Sequence, residues 1–166
     1  MDNNTSRRIA IEWDDPFVAL AAGKGMSGLD YMQCLIDGKF PQPPIAQLLG
    51  FRLATVASGE AVFECKPGEQ HYNPIGVVHG GLAMTLLDSA MGCAVHTLLP
   101  RGGGYTTLEV KVNLVRAITQ ETGLVRSLGK VIHQGRTTAT AEGRIEDAAG
   151  KLYAHGTTTC LILGAR

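Results

Sequence analysis

The feature that most constrains this chain is an apolar stretch near its middle, from residue 82 to residue 99. The stretch has no proline, and the helix-favouring residues Leu, Ala and Met dominate it. We predict a helix over residues 80–99, which would be about 30 Å long. Polar residues such as Asp88 and His96 interrupt the run, so a buried core helix is favoured over a membrane span. A helix that is apolar on nearly every side must be surrounded by other elements.

Strand patterns flank this helix on both sides. Residues 52–67 predict a hairpin that turns at Ser58–Gly59. Residues 105–114 alternate strictly between apolar and polar, which predicts a strand with one buried face. The residues assigned to that buried face are Leu108, Val110, Val112 and Leu114. Three more strand patterns follow, separated by turns at 134–135 and 149–150.

The order of these patterns predicts an α+β fold with a curved antiparallel β-sheet wrapped around one long central helix. Residues 1–44 contain two short helix patterns, "PFVALAAGKG" and "GLDYMQCLIDGKF", and are predicted to form a helical N-terminal extension. Residues 45–166 are predicted to form the main domain. Since a sheet curled around one helix leaves open edges, two copies are expected to pair as a homodimer.

Composition excludes several classes of protein. The 15 basic and 15 acidic residues cancel and form no basic run, so a nucleic-acid partner is not expected. The N-terminus has no long apolar core, so neither a signal peptide nor a membrane anchor is expected. The four cysteines have no metal-ligand or redox spacing. We interpret them as small buried residues of a cytoplasmic protein, and no metal is expected.

Asp88 is a carboxylate in an otherwise largely apolar helix, and its presence there needs an explanation. A buried, unpaired carboxylate is destabilising, so Asp88 must be paired, protonated or beside a polar pocket. On a helical wheel two glycines and a threonine lie on its side, which leaves room for a ligand or a partner backbone. Asp88 is then either a structural acid or a nucleophile or general base. Its wheel neighbours are Gly81, Met84, Thr85, Met91, Gly92 and Val95.

The helix opens with His79-Gly80-Gly81. Backbone N–H groups in the first turn of a helix are unsatisfied and carry partial positive charge, so they can form an oxyanion hole. The alternative is a tight turn that only needs the glycines. Asn73, in the loop before the helix, could hold a water or a carbonyl, or could be a turn residue ahead of Pro74. No serine lies in a nucleophile-elbow context, which argues against a serine hydrolase.

Three segments together resemble the hotdog-fold thioesterases of the phenylacetate-degradation (PaaI-like) type, over roughly residues 45–163. They are "NPIGVVHGGLAMTLLDSAMG", "YTTLEVKVNLVRAI" and "HQGRTTATAEGRI". The resemblance implies a hotdog fold, homodimers that pair into tetramers, and hydrolysis of acyl-coenzyme A to free acid and coenzyme A. It implies no cofactor, because the coenzyme A thioester is the substrate.

The resemblance also implies roles for individual residues. Asp88 would be the catalytic acid, activating water or attacking the thioester carbon. Gly80 would give its N–H to the thioester oxygen, Asn73 would orient the water or thioester, and His79 would support the loop and the acyl carbonyl. These parts would meet across the dimer interface. Within one chain Gly80 and Asp88 are about 12 Å apart at 1.5 Å per residue, too far to act on one carbonyl.

Residues for binding the substrate are predicted around this centre. By resemblance, Thr106 and Thr107 line the site and Arg136 lies close to coenzyme A, although each could be a solvated strand residue. Gly81 is predicted to let the substrate approach the helix start. The acyl pocket is predicted to be walled by Met84, Met91, Leu48 and Leu49, for which ordinary core packing is the alternative.

Two other functions fit the same fold. One is an acyl-thioester hydratase or dehydratase, whose relatives usually carry a histidine within a "D-x-x-x-x-H"-like element that is not clear here. The other is a non-catalytic acyl-coenzyme A-binding protein, for which a missing acid or an attached DNA-binding domain would be the sign.

Overall fold

The computed structural model describes residues 6–164 as four helices and six strands, with short 3-10 turns at Glu69–His71 and Gln120–Thr122. The ends of the two predicted units, residues 1–5 and 165–166, lie outside the described part. The helices are α1 (Pro16–Gly23), α2 (Gly28–Ile36), α3 (Pro44–Leu49) and α4 (Gly80–His96). The strands are β1 (Phe51–Ala57), β2 (Glu60–Cys65), β3 (Gly104–Leu114), β4 (Val125–Gln134), β5 (Thr138–Asp147) and β6 (Leu152–Leu163).

The six strands form one antiparallel sheet in the order β1-β2-β4-β5-β6-β3. Helix α4 packs against one face of this sheet and contacts every strand. The strands alternate as a half-buried sheet should: Ala139, Ala141 and Ile145 of β5 are buried against the helix. The predicted α+β architecture, a sheet around one central helix, is confirmed.

Two glycines in a row of three explain how closely the helix approaches the sheet. Gly129, Gly143 and Gly156 lie in register on the neighbouring strands β4, β5 and β6. A Cβ atom at Gly129 would overlap the backbone of Ala90, and one at Gly143 would lie 2.9 Å from Cγ of Met91. Since neither position tolerates a side chain, Gly129 and Gly143 let α4 lie closer to the sheet than side chains would permit, whereas a Cβ atom at Gly156 would instead lie 2.5 Å from the carbonyl oxygen of Lys111 in β3.

Helix α4 ends earlier than predicted. Its 17 residues stop at His96, whereas the prediction extended it to residue 99. Thr97 ends the helix, because its hydroxyl accepts the Gly59 N–H at 2.8 Å and donates to the Ala94 carbonyl at 2.7 Å. Leu99 also precedes Pro100, a position that disfavours helical backbone.

The strict alternation predicted for residues 105–114 breaks at Leu108, and two of the four residues assigned to its buried face, Leu108 and Leu114, are exposed. Thr107 pairs with Cys160 and Glu109 pairs with Thr159, so Leu108 is an extra residue that forms a β-bulge. Its side chain is 57% exposed. Tyr105 and Thr107 lie on the helix side before the bulge, and Val110 and Val112 lie there after it. Leu114 is also exposed rather than buried.

The N-terminal helices form as predicted and close one end of the core. Ser27 caps α2 by accepting the Asp30 N–H at 3.2 Å. The Gly28 N–H donates to the Leu99 carbonyl at 3.0 Å, and a Cβ atom at Gly28 would overlap the carbonyl of His96. The ring of Tyr31 lies against that of His96, with centroids 5.9 Å apart. The extension therefore packs directly on the C-terminal end of α4.

Across residues 6–164, no helix combines the length and the apolar character that crossing a membrane requires.

Candidate active site

The start of α4 presents one free backbone donor. His79 is the N-cap residue, and its Nδ1 accepts the Gly81 N–H at 2.8 Å. The N–H of Gly80 has no acceptor anywhere within residues 6–164. Because His79 satisfies Gly81 and leaves Gly80 unpaired, the predicted oxyanion donor is available while the N–H of Gly81 is already used.

Asn73 holds the loop before this helix start. Its Oδ1 accepts the N–H groups of Ile75 at 3.1 Å and Val77 at 3.3 Å, and its own N–H donates to the Val77 carbonyl at 2.8 Å. These bonds make Asn73 the turn residue that the sequence offered as its alternative role. The side-chain NH₂ has no acceptor in the described part of the chain, so Asn73 can still donate to a ligand.

Asn73, His79 and Gly80 line one groove with a volume of about 300 Å³. Leu114, at the end of β3, and Arg116, just beyond it, line the same groove. Neither Asp nor Glu is among the residues that line this groove. The groove therefore collects hydrogen-bond donors and one cation, which suits the oxygen atoms of a substrate.

Asp88 lies half-buried on α4 and is hydrogen-bonded. The Thr107 hydroxyl donates to Oδ1 of Asp88 at 2.9 Å, so the predicted pairing of this acid is with a neutral group from β3. Within the described residues no lysine or arginine forms an ion pair with it. Thr107 thereby fixes the orientation of the carboxylate and leaves Oδ2 open to a further partner.

The surroundings of Asp88 are largely apolar. Burial, with a smaller contribution from the Asp88 charge, raises the pKa of the neighbouring Cys93 thiol to about 12. Burial also raises the pKa of Tyr105 well above its usual range, and the charges of Cys93, Cys160 and Asp88 add to the effect. Both groups are therefore neutral at physiological pH.

One chain does not bring Asp88 to the Gly80 groove, and Asp88 is absent from its lining. The carboxylate lies on an uncovered side of α4, where Met84 is 48% exposed. This side adjoins β3, which is an edge strand of the sheet. The structure therefore keeps the Asp88 carboxylate and the Gly80 groove apart within one chain, as the spacing along the helix predicts.

The predicted coenzyme A residues lie at the other end of the sheet from the groove. Thr106 is exposed on β3, in register with Leu161 of β6 and Thr138 of β5. Arg136 is exposed in the turn two residues before Thr138. Thr106, Thr107 and Arg136 thus share one end of the sheet, which is the end nearer Asp88.

The predicted acyl wall is partly wrong. Met91 is completely buried in the core, packed over Gly143, and cannot line an open pocket. Leu48 is 52% exposed and Leu49 packs against the core, and neither lines the Gly80 groove. The role of Met84 as a wall of the acyl pocket remains a prediction. The wheel placed Met91 near Asp88, but it did not include the sheet, which covers the part of the helix surface that carries Met91 and leaves the part that carries Asp88 uncovered.

Arg116 is the groove residue to which the sequence assigned no position. It follows the last residue of β3 by two positions, and nothing in its sequence context marks it out. Its place in the groove depends on the backbone pairing of residues 115–116 with Tyr153 of β6, a long-range contact that local patterns do not encode.

The chain is similar to known thioesterases. Residues 75–154 match the family model described as the thioesterase superfamily. The chain is 32% identical to human acyl-coenzyme A thioesterase 13 over 108 residues, which is 64% of this chain and 76% of the relative. It is 26% identical to 1,4-dihydroxy-2-naphthoyl-CoA hydrolase of Listeria monocytogenes over 65% of this chain and 86% of that one.

A solved structure agrees. The phenylacetic acid degradation protein PaaI from Thermus thermophilus, solved as a mutant, superposes with a TM-score of 0.65 and 28% identity. The match covers 72% of this chain and 98% of that protein. The predicted hotdog fold and the resemblance to PaaI-type thioesterases are confirmed.

Proposed function

Because the chain belongs to the thioesterase superfamily and is a thioester hydrolase, we propose that it cleaves acyl-coenzyme A to a free acid and coenzyme A. Asp88 provides the catalytic carboxylate, and the backbone N–H of Gly80 donates a hydrogen bond to the oxyanion. The observation that carries the proposal is the unpaired N–H of Gly80 at the start of the helix that also bears Asp88.

The Gly80 N–H binds the thioester oxygen. The helix start is the positive end of the α4 dipole, which favours the negative charge that develops on this oxygen in the transition state. His79 and Asn73 act as positioning residues for the loop, and the free amide of Asn73 adds a second donor beside the first. A single donor of this kind typically contributes roughly 100- to 1000-fold in rate.

Asp88 acts on the carbonyl carbon through Oδ2, while Thr107 holds Oδ1. As a general base, the carboxylate accepts a proton from water, the resulting hydroxide adds to the thioester carbon, and the C–S bond breaks. The departing coenzyme A thiolate then takes up a proton. As a nucleophile, Asp88 adds to the same carbon and the C–S bond breaks, which gives an anhydride and the coenzyme A thiolate; the thiolate takes up a proton, and water hydrolyses the anhydride to the free acid and the Asp88 carboxylate. The reaction needs no cofactor in either form.

The complete site forms between two chains. The groove and the Asp88 carboxylate are separate in one chain, and the edge strand β3 beside Asp88 carries exposed apolar side chains such as Leu108. Pairing of two β3 edges around a two-fold axis would cover this surface and bring the Gly80 of one copy to the Asp88 of the other. Two such dimers are expected to associate as a tetramer.

The substrate carries coenzyme A. Human acyl-coenzyme A thioesterase 13 and the Listeria hydrolase are both named for coenzyme A thioesters. Arg136 offers an exposed cation for a coenzyme A phosphate near Thr106. Gly81 and Met84 line the approach between the two half-sites. The buried cysteines Cys65 and Cys160 pack as small apolar residues, which fits a cytoplasmic enzyme.

Release of free thiol from a panel of acyl-coenzyme A substrates tests the activity. Asp88→Asn and Asp88→Ala should each lower kcat by about 1000-fold or more, because the base or nucleophile is removed. Asp37→Asn is the matched control, an exposed acid at the end of α2 that pairs with Lys39, and it should stay within about twofold of the parent. Parent-like activity of the Asp88 variants would refute the mechanism. Consumption of an enoyl substrate without thiol release would indicate a hydratase, and binding without turnover a binding protein.

Mixing two inactive variants tests the composite site. Asp88→Ala retains an intact groove, and the double variant Asn73→Ala/His79→Ala retains an intact acid. After unfolding and refolding together, half of the dimers should be mixed and carry one complete site of two, so activity should return to about a quarter of the parent level. No recovery in dimers shown to be mixed would contradict a site shared between chains.

A further inference from the structure

Among the described residues that line the Gly80 groove, Arg116 is the one lysine or arginine, and the proposed mechanism does not use it. The segment that carries it is fastened to β6, since the N–H groups of Val115 and Arg116 donate to the Tyr153 carbonyl at 2.9 and 3.1 Å. The guanidinium donates to the Leu152 carbonyl and lies 5.8 Å from the centre of the Tyr153 ring. Neutral groups therefore hold the guanidinium in place.

The charge of Arg116 has no acidic partner within residues 6–164. Asp147 bonds to the Tyr153 hydroxyl at 3.1 Å, but its carboxylate also accepts the N–H groups of Ala149 and Lys151 and makes no ion pair with Arg116. A guanidinium has five N–H donors in a planar fork, and the Leu152 carbonyl occupies one side of it. The fork is thus ordered and unpaired, at the edge of a groove that no acid lines.

We propose that Arg116 binds a carboxylate on the acyl group of the substrate. This role depends on the proposed function, in which the thioester oxygen lies at the Gly80 N–H. The enzyme then prefers short acyl groups that end in an acid over neutral acyl groups of equal length. Guanidinium and carboxylate match in shape and charge, and they form paired, charge-assisted hydrogen bonds. The apolar residues Leu114 and Ala83 of the same groove would contact the methylene carbons between the two ends.

The size of the groove favours the acyl group over coenzyme A as the source of the anion. A sphere of the groove's volume is about 8 Å across. A carboxylate four or five bonds beyond the thioester carbon lies about 5–6 Å from it, whereas the nearest coenzyme A phosphate follows about thirteen bonds after the sulfur, about 15 Å in an extended chain. The acyl carboxylate fits within the groove and the phosphate does not. Arg136, at the opposite end of the sheet, is better placed for the phosphate.

Matched substrates measure this preference. Glutaryl- and pentanoyl-coenzyme A, and adipoyl- and hexanoyl-coenzyme A, differ only in the terminal carboxylate, and hydrolysis without enzyme is subtracted for each. In the parent, kcat/KM should be higher for the acid of each pair. Arg116→Gln should lower the acid-to-neutral ratio about tenfold, the size expected for one partly exposed charge-assisted bond, with the neutral substrates within about twofold of the parent.

Two further variants make the comparison specific. Arg116→Lys keeps the charge but not the fork, and it should retain an intermediate ratio. Arg126→Gln removes an exposed arginine on β4 that pairs with Glu64 outside the groove, and it should leave the ratio unchanged. Thioesters of N-acetylcysteamine, which lack every phosphate of coenzyme A, should show the same loss of preference in Arg116→Gln as the coenzyme A substrates show.

The outcomes separate the possible roles. A loss confined to coenzyme A thioesters and equal for acid and neutral acyl groups would assign Arg116 to a phosphate and overturn the proposal. An equal loss of kcat/KM on all thioesters would show that Arg116 only holds its segment against β6. This result would also overturn the proposal. Should the variants not fold, glutarate should inhibit the parent about tenfold more strongly than pentanoate, and equal inhibition would overturn the proposal. A parent that hydrolyses no thioester would instead refute the proposed function itself.

Discussion

The two ends of helix α4 belong to one continuous element, yet they are built in opposite ways. At the N-terminal end the Gly80 N–H is unpaired, His79 is exposed and Met84 is 48% exposed. At the C-terminal end the Thr97 hydroxyl caps the chain, and His96 is enclosed by aromatic rings. The N-terminal extension covers the second end and leaves the first open.

The two ends of α4 serve different purposes. An unpaired donor at a helix start is useful to a substrate only if the protein leaves it uncovered. The stability that this open end forgoes must come from elsewhere, and the closed end provides tight packing around Gly28 and Tyr31. Substitutions at the two ends should therefore affect different properties of the protein.

The largest effect on stability is expected from Gly28→Ala at the closed end. The added Cβ would overlap the carbonyl of His96, a backbone atom that cannot move without shifting the end of α4. The free energy of unfolding, measured with urea, should fall by about 3 kcal/mol. Gly25→Ala is the control, since nothing lies within 4 Å of its Cβ position, and it should change stability by less than about 0.5 kcal/mol. Equal stabilities would show that the closed end is not tightly packed.

An intermediate effect, on activity rather than on stability, is expected from Gly80→Ala at the open end. Its Cβ would lie 2.6 Å from Cδ1 of Leu114, the flexible end of a half-exposed side chain that can move aside. The methyl group would enter the groove beside the thioester oxygen, so kcat/KM should fall roughly 10- to 100-fold. The urea midpoint should change little. If Gly80→Ala lost stability but kept its activity, the N-terminal end of α4 would serve stability rather than activity, the opposite of what we expect.

The smallest effect concerns pH. Burial lowers the pKa of His96, so the unfolded chain binds a proton that the folded chain resists as the pH falls below the usual histidine value of about 6.5. Stability should then be lost on acidification from pH 7 to pH 5. His96→Phe preserves ring packing against Tyr31 and Tyr105 and should make the dependence of Tm on pH shallower by a few degrees over this range. Burial also lowers the pKa of His71, so some dependence should persist. An unchanged slope of Tm against pH in His96→Phe would contradict the assignment of this loss of stability to His96.

Much of the fold could be predicted from the sequence, because its signals are local. The apolar run predicted α4, Ser58–Gly59 predicted the first hairpin, and His79-Gly80-Gly81 predicted the helix start. The features that were missed depend on contacts between distant residues. The buried position of Met91 requires the sheet and its glycine row, and the early end of α4 requires a hydrogen bond between Thr97 and Gly59.

The candidate site follows the same division. Asp88 was conspicuous as a single acid in an apolar run, and its distance from Gly80 followed from helix geometry alone. Its partner Thr107 was named only through the resemblance. Arg116 acquired a position only when β3 and β6 were seen to pair beyond the last residue of β3. Residues that act through their own local context were thus predictable, and residues placed by strand pairing were not.

The bulge at Leu108 lets one strand meet two sets of requirements. Without it, a strand that turns Thr107 towards Asp88 would also turn Glu109, Lys111 and Asn113 into the core. The extra residue reverses the phase, so each half of β3 can vary without dictating the side-chain pattern of the other. Changes before residue 108 would then alter the setting of the acid, and changes after it would alter the packing of the core. Deleting a single residue at the bulge would turn the inward-facing side chains outward, and the outward-facing ones inward, along half of this edge strand.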